Sequence, residues 1–259
     1  MTTNTFDHAR AAFLAAGQTL RNERRDFPEW HLGRPHYALW AVDVDLPDVR
    51  HAVAGAEAHL DGLLLDGYRR QPHITLALCG FPTAEPQHPD DYSPARLAAQ
   101  VAALTAGAPA PFALTLGGLA SFSSAPFLSV ADPTGGIHHL RCALAGDQDE
   151  PGGPYTPHVT VGLYAGTWPT AHIQPRLDAF AAPALPCRVE RISLMHYAAP
   201  EIGGALTTLA SFDLSRRQLD WLQRPAGWPD TDIWRGAVRI RRQLRPIRHA
   251  HPHVTRSPP

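Results

Sequence analysis

The chain has 259 residues, 44% of them hydrophobic, enough for one α/β domain with a sizeable core and terminal extensions. No apolar run approaches 18 residues, and the start MTTNTFDHAR lacks a basic segment followed by an apolar one, so a membrane span and a secretory signal are not expected and a cytoplasmic location is. The formal charge of −1 hides an asymmetry: all 23 basic residues are arginine, and from residue 214 onward ten arginines face three aspartates, while the rest of the chain is acidic. Composition alone does not declare a nucleic-acid binder, and this basic tail is the one electrostatic hint of such a partner.

In chain order, the apolar spacing of Phe6, Ala9, Phe13, Ala16 and Leu20 predicts an amphipathic helix over 6–25. HYALWAVDVD, rich in aromatic and β-branched residues, predicts a strand, and residues 47–60 a helix with Pro47 in its first turn. RRQPHITLALCGF reads as the next strand, followed by a helix from Ser93 to about Ala106 with Ser93-Pro94 as cap and first position. Strands FALTLGGL and FLSVAD flank a loop at 121–126; a helix over about 136–144 then leads to the turn DEPGGP and the strand YTPHVTVGLYAG. A helix over about 169–181 precedes CRVERISLMHYAAP and ALTTLASFDL, read as a closing hairpin. Past Ser215 the chain is Arg- and Pro-rich, with a basic helix expected near 230–243 and disorder at the end.

Each half of this pattern runs strand, helix, His-x-Thr strand, helix, strand, which predicts one domain built of two similar lobes. In a strand, residues two apart share a face, so His73 and Thr75 project together, as do His158 and Thr160. If the lobes face one groove, two imidazoles and two hydroxyls converge. One neutral imidazole takes a proton from an attacking oxygen and the other, protonated, gives one to a leaving oxygen, each worth roughly 10²–10⁴ in rate. Threonine hydroxyls can hold non-bridging phosphate oxygens. Such a site requires no metal and no cofactor. A third His-x-Thr, His253 to Thr255, lies in the tail without strand context, so the motif alone is cheap; its repetition as Pro-His-aliphatic-Thr-aliphatic in two matched strands is the informative feature.

On these residues the sequence resembles the two-histidine phosphoesterase superfamily, in its 2′-5′ RNA ligase (RNA cyclic phosphodiesterase) branch. PHITLALCGF and YTPHVTVGLY resemble the family's two motifs, GGLASF its loop between lobes, and RISLMHYAAPEIGGALTTLASFDL its closing hairpin, over about 36–214. The resemblance implies an α+β, bilobal fold with antiparallel sheets facing a central groove and helices outside. It also implies metal-independent opening of a 2′,3′-cyclic phosphate on RNA or a small nucleotide to a 2′-phosphate, and in some members 2′-5′ joining of RNA ends. His73 would then be the acid and His158 the base, or the reverse. Residues 1–35 form an N-terminal helical extension and 215–259 a basic C-terminal one. An aromatic often stands three residues before the second His, here Tyr155, and is counted with the substrate contacts. A common form of the second motif has Arg shortly after the Thr; here Val161, Gly162 and Leu163 follow, so Tyr164, on the His158 face by parity, and Phe122 are the candidates to stack a base.

Other readings of particular residues are open at this level. The domain could be a catalytically idle RNA-binding module working through the Arg-rich tail. His249, His251 and His253 have the spacing of an extended metal-binding strand, without a carboxylate or Cys to complete it. Cys79, Cys142 and Cys187 read as buried, reduced thiols, although Cys79 shares strand parity with His73 and could line a groove. A monomer is expected.

Overall fold

The computed structural model describes residues 5–145 and 155–229. Its first half runs α1 (Thr5–Ala16), α2 (Pro28–His31), β1 (His36–Asp43), α3 (Pro47–His59), β2 (His73–Pro82), β3 (Asp91–Tyr92), α4 (Pro94–Gly107) and β4 (Phe112–Ser121). The second half continues with β5 (Pro126–Ala131), α5 (Gly136–Ala145), β6 (His158–Thr160), α6 (Thr170–Asp178), β7 (Leu185–Val189), β8 (Arg191–Ala198), β9 (Thr207–Asp213) and β10 (Gln218–Trp221).

The strands form two sheets, in the orders β10-β9-β8-β1-β2-β3 and β6-β5-β4-β7. Apart from the parallel β2–β3 pair, neighbours run antiparallel. This is the α+β, bilobal arrangement expected. Strand β1 lies inside the larger sheet, and Ala38 through Val42 are buried on both faces, which is why its sequence is continuously apolar there. One core runs through both lobes, from Trp40, Ile74 and Leu76 to Leu114, Leu128 and Val159. A single buried amide joins three elements at its centre. Gln100 on α4 accepts from Trp40 Nε1 at 2.9 Å and the Tyr92 hydroxyl at 2.7 Å, and donates to the Leu144 carbonyl at 3.1 Å. Both ends of the amide are therefore engaged, as burial demands.

The short α2 and β3 were not expected, and four further differences bear on the site or its surroundings. Helix α1 stops at Ala16 instead of running to 25, because Gly17 takes a positive φ of 74° and the chain then leaves as an extended segment. The second motif strand is only three residues long. CRVERISLMHYAAP is two strands: β7 ends at Val189 in the smaller sheet and β8 starts at Arg191 in the larger one, so the chain changes sheets across Glu190. The larger sheet also continues past the boundary expected at 214, since β10 pairs with β9. Next to it, Arg217 donates to the Thr105 carbonyl at 3.1 Å and the Ala108 carbonyl at 2.6 Å, at the end of α4 where helix carbonyls lack partners. The expected basic helix near 230–243 lies outside the described residues.

Candidate active site

The two motif histidines are held in the same way. His73 opens β2 opposite Asp43 of β1, and His158 opens β6 opposite Ser129 of β5. The Pro before each disfavours helix for the residue ahead of it and has no amide hydrogen to give. In both, the imidazole turns back along the chain: His73 Nδ1 lies 2.8 Å from the Gln71 carbonyl, and His158 Nδ1 lies 2.8 Å from the Thr156 carbonyl. A carbonyl only accepts, so each Nδ1 carries the proton and each neutral ring keeps its free lone pair on Nε2. Gln71 is itself fixed, because its side-chain amide donates to the Leu206 carbonyl at 3.1 Å and accepts the Leu206 amide at 2.8 Å.

A second contact joins the motif strands to each other. The Tyr155 hydroxyl, three residues before His158, donates to the Thr75 carbonyl on β2. The Arg141 guanidinium lies 3.6 Å from the centre of the Tyr155 ring and donates to the Leu76 carbonyl at 2.8 Å. The two imidazoles are close enough that charge on His158 disfavours charge on His73.

His158 and Thr160 line a cavity of about 580 Å³, together with Phe122, Leu163, Tyr68, Arg70, Tyr197 and Glu201. This volume is in the range of small-molecule sites. The Phe122 ring meets His158 edge-on at 4.9 Å between centroids, and Phe127 packs on the same imidazole at 5.4 Å. His73 and Thr75 are not among the lining residues, and His73 is buried, 7% exposed. Tyr68 stands beside Thr160, and the loop past Glu201 packs closely on it; Gly203 (φ 66°) has no room there, since a Cβ would come within 2.8 Å of the Tyr68 ring.

The N-terminal segment supplies another part of the wall. Asn22, Phe27 and Trp30 all line the cavity. Residues 19–22 are laced to the second lobe: Leu20 N donates to the Ser123 carbonyl at 2.7 Å, and the Asn22 side chain donates to the Ser124 and Tyr164 carbonyls at 2.9 and 3.0 Å. Farther along, Trp30 packs on Tyr37 and Phe81 of the first lobe, and Arg34 pairs with Asp90 and Asp91. The segment is thus a strap across both lobes.

Burial sets the protonation of the site. Loss of hydration holds the His73 imidazole down at about 4, partly opposed by its bond to Gln71, with Arg70 and His158 adding to the downward push. Loss of hydration also lowers His158, against its bond to Thr156. Both rings are therefore neutral at pH 7 without a ligand.

Two expected contacts stand elsewhere. Tyr164 is fully buried, its hydroxyl 2.7 Å from Ser121 Oγ, and no base can reach its ring. The parity argument fails because β6 ends at Thr160: Val161 still pairs with Pro126, but Leu163 and Tyr164 turn to pair with Leu65 and Leu64. Tyr155 is a tie between the motif strands and is absent from the cavity wall. Phe122 does line the cavity. Cys79 is buried, with its thiol pushed up to about 12 by that burial, and is no groove nucleophile; Cys142 is exposed, against expectation. His249, His251, His253 and Thr255 lie outside the described residues. Sequence reasoning missed Tyr68, Arg70 and the strap residues; the one available signal was the Arg pair directly ahead of the first motif.

Residues 44–201 match the family model of the 2′-5′ RNA ligase superfamily. The chain belongs to that superfamily. Solved structures similar to this superfamily member include LigT of E. coli complexed with 3′-AMP, which is 18% identical with a TM-score of 0.48, covering 71% of this chain and 99% of that one. The same protein complexed with NADP+ gives 19% and 0.44, covering 70% and 99%. A Thermus thermophilus protein gives 20% and 0.47, covering 69% and 97%. No curated protein matches the chain. Among the described residues of this superfamily member, no helix is long and apolar enough to cross a membrane.

Proposed function

We propose that this superfamily member is a phosphodiesterase that opens a 2′,3′-cyclic phosphate, on an RNA end or a small nucleotide, to a 2′-phosphate. The observation that carries this reading is the matched pair of imidazoles, each with Nδ1 committed to a carbonyl two residues upstream and Nε2 left for proton transfer. In the hydrolytic direction the Nε2 of His158 takes a proton from water as its oxygen attacks phosphorus. The P–O3′ bond breaks, and His73 gives a proton to O3′. A 2′-5′ RNA joining reaction would follow the same course with a 5′-hydroxyl in place of water, and the two roles exchange when such a bond is cleaved back to the cyclic phosphate. Thr75 and Thr160 donate to the non-bridging oxygens, and Phe122 offers a face or edge to a base. The two rings complete the proton inventory of the reaction, so the mechanism needs no metal. Residues 36–214 carry this chemistry, and the strap within residues 1–35 shapes the cavity.

His73→Ala and His158→Ala should each cut hydrolysis of a 2′,3′-cyclic nucleotide in EDTA by at least about 10²-fold, with unchanged melting behaviour confirming the fold. Wild-type rates in both variants would end this reading.

A further inference from the structure

Among the described residues the cavity wall holds one carboxylate and one guanidinium, and only the carboxylate is in an ion pair. Glu201 is the sole carboxylate among the described lining residues, and it is paired with Arg69. Arg70, the sole arginine of that wall, has no carboxylate within ion-pair distance among the described residues. It is nonetheless held in place. Its guanidinium carbon lies 4.1 Å from the centre of the Tyr197 ring, and its Nε donates to the Gly204 carbonyl at 3.4 Å. Its neighbours fix the backbone on either side: Arg69 N donates to the Gly203 carbonyl at 2.8 Å, and Gln71 is bonded twice to Leu206. A half-buried cation fixed by an aromatic face and a carbonyl, with its remaining N–H groups uncommitted to any carboxylate, is a preformed anion receptor.

The segment after the second motif cannot supply such a charge. Val161 is buried, a Cβ on Gly162 would come within 3.0 Å of Leu64, and Leu163, which does reach the cavity, is apolar. We infer that Arg70, entering from the first lobe, is the cation that holds the non-bridging oxygens of a nucleotide phosphate in this cavity, opposite His158 and Thr160. The inference rests on the cavity being the phosphoester site proposed above. The downward push of Arg70 on His73 agrees with it, because an anion seated on Arg70 would cancel that push.

The test is calorimetric binding of adenosine and of adenosine 2′-phosphate, which differ only in the phosphate. The wild type should prefer the phosphate by about 10–100-fold, the worth of a hydrogen-bonded charge pair, and Arg70→Ala should lose most of that preference. Arg70→Lys, which keeps the charge without the planar fork, should retain part of it. Arg50→Ala, which removes a distant exposed charge, should retain all of it. If Arg70→Ala does not melt cooperatively, Arg70→Gln and Arg70→Lys carry the comparison. A folded Arg70→Ala or Arg70→Gln variant with the wild-type preference overturns the inference, as does a wild type with no preference. Because no turnover is read, this result is separate from the histidine variants: a lost preference with no hydrolysis by wild type would leave Arg70 standing and remove the catalytic reading.

Discussion

At the scale of single residues, the site uses an ordinary bond to obtain an unusual state. Each motif imidazole spends Nδ1 on a nearby carbonyl, which fixes the tautomer, and burial then keeps the ring neutral. A neutral His158 is ready to accept a proton. His73 has the opposite need if it is the acid, since it must hold a proton that burial expels down to about pH 4. An anionic ligand beside it supplies the missing field and raises its pKa toward the ordinary value of about 6.5. Binding adenosine 2′-phosphate at pH 6 should therefore take up protons, seen as a dependence of binding enthalpy on buffer ionisation enthalpy. His73→Ala should lose most of this uptake beyond what the ligand itself contributes. A variant that takes up as many protons as wild type would place the titrating group elsewhere.

At the scale of elements, the two matched strands were legible because Pro-His-aliphatic-Thr-aliphatic is a local pattern with a period of two. Helices α3 and α4 were legible for the same kind of reason, with Pro47 and the Ser93-Pro94 cap marking their starts. What could not be read was non-local. Tyr164 lies four residues past Thr160, but the strand ends because residues 163–165 find partners at 63–65, nearly a hundred residues away in sequence. The strap was missed because its bonding partners are distant in sequence, and β10, although it pairs with the adjacent β9, because its four residues are too few to show a period. The strap's anchor is Asn22, whose side chain closes on two carbonyls of the second lobe. Asn22→Ala removes both bonds and should destabilise the strap by about 1–2 kcal/mol. Trypsin would report this as several-fold faster cleavage at Arg21, Arg24 and Arg25; an unchanged cleavage rate would show that the strap is held by its other contacts.

At the scale of the molecule, the same burial that tunes the site makes the fold acid-sensitive. His73 and His196 are both held at about 4, and His158 is lowered as well, each chiefly by lost hydration. Unfolded, these rings titrate near 6.5, so between 6.5 and 4 the unfolded chain binds more protons than the folded one. Their stabilising contribution is complete above 6.5 and is lost as pH falls toward 4, by at most about 3 kcal/mol for His73. The urea midpoint should thus drop between pH 7 and pH 5. His196 lies outside the cavity wall, stacked on His36 at 4.3 Å, so His196→Leu offers a check that spares the proposed chemistry. It should flatten the pH dependence, and an unaltered slope would remove His196 from this account.

The strap also bears on how the protein is made. Residues 19–22 emerge early in synthesis, yet their partners are Ser123, Ser124, Tyr164, Gly166 and Trp168. Until that later stretch has left the ribosome, Phe27 and Trp30 have no second lobe to face across the cavity. Contacts of such long sequence separation form late and slowly. The strap, translated ahead of its partners, is accordingly among the last parts to settle, and the groove becomes complete only when it is drawn back over the second lobe.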